Sequence, residues 1–108
     1  MPGEASGETI RATTTGYYCL FLPGYFRGDG GGYCGKMASG YLPFEGAAAC
    51  GSYYPLYAWI WIYDLQRWVI CLDRGNIGET QIDVFYQTNK ELEESGVLAV
   101  GVSDVEVR

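Results

Sequence analysis

The chain has 108 residues, the length of one domain with one hydrophobic core. Its net charge of −6, with only 7 Lys and Arg, offers no basic face for phosphates and argues against nucleic acid as a partner. With no His, Ser-His-Asp and Cys-His catalysis are excluded and the commonest metal ligand is missing; 13 acidic residues make a carboxylate the leading catalytic candidate.

Residues 1–9 are polar, contain glycine and lack an apolar stretch. They read as a flexible tail ahead of one domain over residues 10–108, and not as a signal peptide. No segment is long and apolar enough to span a membrane. From Ile10 to Leu22, β-branched and aromatic residues predict one or two strands. Gly28 to Gly35, GDGGGYCG, predicts a loop. The stretch GGGYCGKM has Gly30, Gly35 and Lys36 at the spacing of a phosphate loop. Met37 stands where Ser or Thr would bind magnesium, and no helix follows, so a nucleotide site is rejected.

YPLYAWIWIY at Tyr54 to Tyr63 and WVICL at Trp68 to Leu72 predict a hairpin, with its turn over Asp64 to Arg67. QIDVFY, Gln81 to Tyr86, predicts a strand with Ile82, Val84 and Tyr86 on one face and Asp83 and Phe85 on the other. A carboxylate sharing a face with an aromatic is unusual for a solvated group. Thr88 and Glu91 form a capping box for a helix over Asn89 to Ser95, ended by Gly96. Val97 to Val107 predicts a closing strand. Short strands, one small helix and glycine-marked turns describe a compact barrel or sandwich, with no repeat visible in the sequence.

Cys19, Cys34, Cys50 and Cys71 contain no C-x-x-C pair, so their spacing does not point to zinc, and no other metal or cofactor is implied. An even count suits two disulfides in an oxidising location, with three pairings possible; four buried thiols is the other reading. Ten Tyr, four Phe and three Trp supply core and cross-strand pairs, or flat faces for sugar stacking.

Several short pieces occur in a telling order. MASG at Met37 to Gly40 precedes AACGSYYPLYAWIWI at Ala48 to Ile62, followed by CLDRGN at Cys71 to Asn76 and then QIDVFY. This order resembles the three-aspartate (3D) domain of the MltA-like murein transglycosylase family, whose members show T-A-S-G, A-x-D-P with P-L-G-T, D-x-G-G and I-D-[VL]. The likeness runs from about Ala12 to Val105. It implies a mainly β fold, a six-stranded double-psi β-barrel with one or two short helices, in which crossing loops gather carboxylates at one end.

The same resemblance implies site residues. Asp73 matches the Asp of D-x-G-G, and Asp83 matches the Asp of I-D-V, the position understood to be catalytic in the family. Cys50 stands in place of the first family Asp, Met37 in place of the Thr of TASG, and Asn76 in place of the second Gly. The loop between Asp73 and Asp83 is one residue short. If the strand ends adjoin as in the relatives, Cys50 would bridge Cys71, leaving Cys19 with Cys34.

The implied activity is lytic transglycosylation of peptidoglycan glycan strands, in which the sugar's own 6-hydroxyl forms a 1,6-anhydro ring and one carboxyl serves as acid and then base. Asp83 would fill that role. It must be protonated near neutral pH, which burial near Phe85 and repulsion from ionised Asp73 would favour. Asp73 would stabilise the oxocarbenium-like transition state or fix Asp83. Ser39, Gly40 and Tyr41 would bind substrate, with Tyr33 or Trp59 as further stacking faces. Each aspartate also has a plainer reading: Asp73 as a turn residue and Asp83 as a structural carboxylate.

Two other functions compete. One is a noncatalytic double-psi barrel, a structural or glycan-binding module that packs against a protein partner or assembly, for example in a phage virion. The other is an expansin-like barrel that loosens polysaccharide without cutting it, although its motif strings differ. All of these imply an extracytoplasmic, cell-wall or virion-associated location, reached without a signal peptide in this chain.

Overall fold

The computed structural model describes residues 8–22, 25–28, 37–75 and 77–108. Glu8–Leu22 forms one unbroken strand, β1, where the sequence left one or two open. The strands that follow are β2 (Tyr25–Gly28), β3 (Ala47–Cys50), β4 (Trp59–Ile62), β5 (Arg67–Asp73), β6 (Ile82–Tyr86) and β7 (Gly101–Val107). Two short helices, α1 (Asn89–Ser95) and α2 (Val97–Val100), lie between β6 and β7. None of the described helices is long and apolar enough to cross a membrane.

Six strands close a ring in the order β1–β6–β3–β5–β4–β7, with β7 returning to β1, while β2 extends β1 as a hairpin outside it. The pairs β1/β6 and β3/β5 are parallel, and the other ring pairs are antiparallel. Exchanging β1 with β5, β3 with β6, and β4 with β7 leaves every neighbour relation unchanged. The ring therefore has a topological two-fold that its sequence does not display. This is the six-stranded double-psi β-barrel.

Alternation fills the barrel. Ile60 and Ile62 of β4, Val69 and Cys71 of β5, and Ile82, Val84 and Tyr86 of β6 all point into one core. The intervening residues of β4 and β5 form an outer aromatic ribbon: Trp61 meets Trp68 at 5.5 Å between ring centroids and Tyr63 at 6.4 Å. Trp61 and Trp68 are thus a cross-strand aromatic pair. The strand β3 breaks the alternation, because all of Ala47–Cys50 is buried. Ala48 and Cys50 face the main core, while Ala47 packs with Met37 and Leu72 in a second cluster. A strand covered on both faces reads as an apolar run, and small side chains let the covering segment lie close. Met37, the residue that spoiled the phosphate-loop match, is buried in that cluster; residues 29–36 of the loop lie outside the described residues.

The helix boundaries match the sequence reading. Thr88 caps α1 by accepting the Glu91 N–H at 3.1 Å, and Gly96 ends it with a left-handed φ of +82°. Two expectations need correction. The predicted closing strand over Val97 to Val107 begins as the helical turn α2, and only Gly101–Val107 is strand. Val97 is buried against the barrel, and the run VLAV satisfies one helical turn as readily as a strand. The predicted strand over Tyr54 to Tyr63 starts only at Trp59. Tyr57 has φ of +72°, and Tyr54 turns inward so that its hydroxyl donates to the Thr80 carbonyl at 2.8 Å.

Candidate functional site

The register assembles one row of residues across four neighbouring strands. Asp73 of β5 is the Cα partner of Ala49 of β3, Ala49 is the partner of Asp83 of β6, and Asp83 is the partner of Thr15 of β1. A bulge in the β3/β5 pairing sets Asp73, and not Leu72, opposite Ala49. Two interstrand spacings put the Cα atoms of Asp73 and Asp83 about 10 Å apart. Alanine between them keeps that gap free of a large side chain.

Asp83 sits on the outer face of the barrel, because its neighbours Ile82 and Val84 fill the inside. It is half-buried. Thr15 Oγ1 donates to Asp83 Oδ1 at 2.8 Å. The Gln81 side-chain amide donates to Thr15 Oγ1 at 3.1 Å, and the Gly78 N–H donates to Gln81 Oε1 at 3.0 Å. The three bonds run in one direction and end on the carboxylate. Neither Thr15 nor Gln81 was singled out by the sequence. Thr15 becomes visible only when β1 is laid parallel to β6, and Gln81 read merely as the first residue of its strand.

Asp73 is held differently. Its Oδ1 accepts the Ala38 N–H at 2.9 Å and the Arg74 N–H at 2.8 Å. The first bond joins the DRGN turn to the MASG segment, so two motifs far apart in sequence meet at this carboxylate. Arg74, also unanticipated, turns its guanidinium to the carbonyls of Cys50 at 3.2 Å, Gly51 at 2.9 Å and Tyr54 at 2.5 Å. A planar five-donor group is suited to such a cluster of carbonyls. It fixes the segment that links β3 to β4.

The other expected site residues divide. The Ser39 N–H donates to the Leu72 carbonyl at 2.9 Å, while its buried Oγ has no hydrogen-bond partner among the described residues. The Gly40 N–H is taken up by the Met37 carbonyl at 2.8 Å, with Gly40 at φ +96°. The Tyr41 carbonyl accepts the Met37 N–H at 2.7 Å, and the residue is 60% exposed. Trp59 lies on β4, three strands round the ring from Asp83. Tyr33 lies outside the described residues.

Cys50 and Cys71 form a disulfide, with Cα atoms 5.7 Å apart, as the family resemblance implied. It ties β3 to β5 next to the row that contains Ala49 and Asp73. Cys19 is also disulfide-bonded, and the expected partner, Cys34, lies outside the described residues. Among the described residues no three His, Cys, Asp or Glu side chains gather as a metal site.

Along β6 from Asp83, Phe85 packs edge-on against Tyr17 with centroids 5.5 Å apart. It also forms one wall of a cavity of about 260 Å³ lined with Pro43, Phe44 and Gln87. The site thus has a tethered carboxylate, a second carboxylate two strands away, and an aromatic hollow beside the first. No protein-family model, curated protein or solved structure matches the chain.

Proposed function

We propose that the chain is a 3D-type, MltA-like domain that cleaves peptidoglycan glycan strands by lytic transglycosylation, with Asp83 as its single acid and base. The observation that carries this reading is the half-buried Asp83 tethered by Thr15 on the barrel's outer face. In the first half of the reaction the Asp83 carboxyl donates its proton to the glycosidic oxygen. The C1–O bond breaks, its electron pair leaves with that oxygen, and positive charge develops at C1. In the second half the 6-hydroxyl of the same sugar attacks C1, and the Asp83 carboxylate takes the hydroxyl proton. No water is consumed, and the acid is regenerated. The Thr15 hydroxyl donates to the carboxylate form, the form required in that second half.

Asp73 contributes through the loop it holds, since its Oδ1 already accepts two backbone N–H groups. The disulfide suits an extracytoplasmic, cell-wall or virion location.

The test is digestion of purified peptidoglycan by wild type and Asp83→Asn, with products read by mass spectrometry. Anhydromuramyl fragments from wild type alone are the expected result. A folded wild type that releases none over a broad pH range removes the enzymatic reading.

A noncatalytic glycan-binding or structural barrel is the second reading. It is favoured by Cys50, which stands at the first family Asp and is committed to a disulfide. Unchanged glycan or partner binding in Asp83→Asn, with no cleavage by wild type, is its signature.

A further inference from the structure

Gln81 is fastened through both its backbone and its side chain. Its N–H donates to the Gly78 carbonyl at 3.0 Å, and its carbonyl accepts the Gly51 N–H at 2.9 Å from the segment after β3. Its side chain closes the same turn, with Oε1 accepting the Gly78 N–H at 3.0 Å, while Nε2 donates to Thr15 Oγ1 of β1 at 3.1 Å. Gln81 stands two residues before Asp83, so strand alternation puts both side chains on one face.

This mounting gives the hydrogen-bond chain a direction. A backbone N–H only donates, so the Gln81 atom facing Gly78 is the oxygen, and the atom facing Thr15 is the NH2 group. That group also only donates. Thr15 Oγ1 therefore receives it, and the Thr15 hydrogen goes to Asp83 Oδ1 at 2.8 Å. The last torsion of an aspartate has a broad well, and a donor held at one oxygen narrows it.

We propose that Gln81 is a positioning residue for Asp83, directing the Thr15 hydroxyl so that the carboxylate keeps a donor at Oδ1. The inference rests on the reading of Asp83 as acid and base, and adds a residue outside the I-D-V motif, which begins one position later. Gln81 acts through Thr15 and has no part in the proton transfer itself. Its contribution falls in the second half of the reaction, when Asp83 is ionised and must face the 6-hydroxyl.

Two variants of similar size separate the roles. Gln81→Leu keeps the bulk and removes both side-chain bonds. Gln81→Glu keeps an acceptor for the Gly78 N–H but turns a second acceptor toward Thr15, which draws the hydroxyl away from Asp83. The readout is the NMR titration of the Asp83 carboxyl carbon in the full chain. Loss of a donor to the charged form moves protonation to higher pH, so Gln81→Leu is expected to shift the titration upward. Gln81→Glu is expected to shift it further, because the new negative charge acts in the same sense. The charge already in the row, Asp73 of β5 across Ala49 of β3, is unchanged in every variant, and Thr15 of β1 brings none.

The deciding comparison is made in a Thr15→Val background, where Gln81→Leu is expected to move the Asp83 titration no further. In peptidoglycan digestion, Gln81→Leu is expected to lower turnover about tenfold with little change in half-saturating substrate. A purely structural role would lower the folded fraction and leave the titration of the folded protein where it is in wild type.

An unmoved Asp83 titration in Gln81→Leu, or an equal shift with and without the Thr15 hydroxyl, overturns the positioning role. If either accompanies anhydromuramyl products from wild type, the cleavage reading stands without Gln81. Titrations that shift as expected in a protein that cleaves nothing leave Gln81 as the residue that orients Asp83 and overturn only the catalytic role of that carboxylate.

Discussion

Thr15 and Asp83 are Cα partners across the parallel β1/β6 pair, and the Thr15 hydroxyl donates to the Asp83 carboxylate at 2.8 Å. Strand pairing sets the backbones, and the hydroxyl then fixes one carboxylate oxygen. Thr15→Val keeps the β-branched shape and removes the donor. The expected loss is about 1.5–3 kcal/mol in denaturant unfolding, as for a hydrogen bond to a charged group. Thr15→Ser is expected to retain most of that stability. In peptidoglycan digestion, Thr15→Val is expected to lower the rate and Thr15→Ser to restore it. Equal stability of the Val and Ser variants would show that the bond contributes nothing.

Asp73 provides a contrast between charge and hydrogen bonding. An amide oxygen can accept the Ala38 and Arg74 N–H groups as the carboxylate does, so Asp73→Asn is expected to preserve the fold. Asp73→Ala leaves both exposed donors to water and is expected to lose about 0.5–1.5 kcal/mol. If Asn is as destabilising as Ala, the negative charge and not the acceptor is what the turn requires.

The inward face of β6, the α1 helix with its Thr88 and Gly96 caps, and the turn between β4 and β5 were all legible, because each depends on residues close together in sequence. Less legible were features created by strands remote in sequence. Gly16 is an example: it lies mid-strand in β1 with no turn to explain it, yet a Cβ there would come within 2.6 Å of Leu92 and 2.7 Å of Val97. Its small size lets the two helices rest on β1. The site shows the same division. Asp83 stood out by sharing a strand face with Phe85, whereas Thr15, Gln81 and Arg74 acquire their roles only through pairings with distant segments.

The Cys50–Cys71 bridge closes a separation of 21 residues and joins β3 to β5. Restricting the unfolded chain over a loop of that length is worth about 3 kcal/mol. The paired Cys50→Ala, Cys71→Ala variant is expected to unfold at lower denaturant by that amount, with some additional loss because both side chains are fully buried. If this variant matches wild type in stability under nonreducing conditions, the bridge is incidental to the barrel.

Gly51 is the most demanding position in the described chain. Its N–H donates to the Gln81 carbonyl at 2.9 Å, and the Tyr53 N–H donates to the Glu79 carbonyl at 3.0 Å, so the segments after β3 and before β6 are stitched together there. A Cβ on Gly51 would run into the Gly78 and Glu79 carbonyl oxygens, which are backbone and cannot rotate aside. Gly51→Ala is therefore expected to lose about 3 kcal/mol or more, at the upper end for overpacking. The control is Gly75→Ala, whose Cβ would meet, among the described residues, Ile77 Cγ2 at 3.8 Å, an ordinary contact. It is expected to fall within about 0.5 kcal/mol of wild type. The displaced segment carries Gln81, which donates to Thr15, which in turn holds Asp83. Any folded fraction of Gly51→Ala should accordingly show altered amide shifts at Thr15 and Asp83, although neither residue touches position 51. Wild-type shifts there would mean that the hydrogen-bond chain forms independently of how the two segments pack.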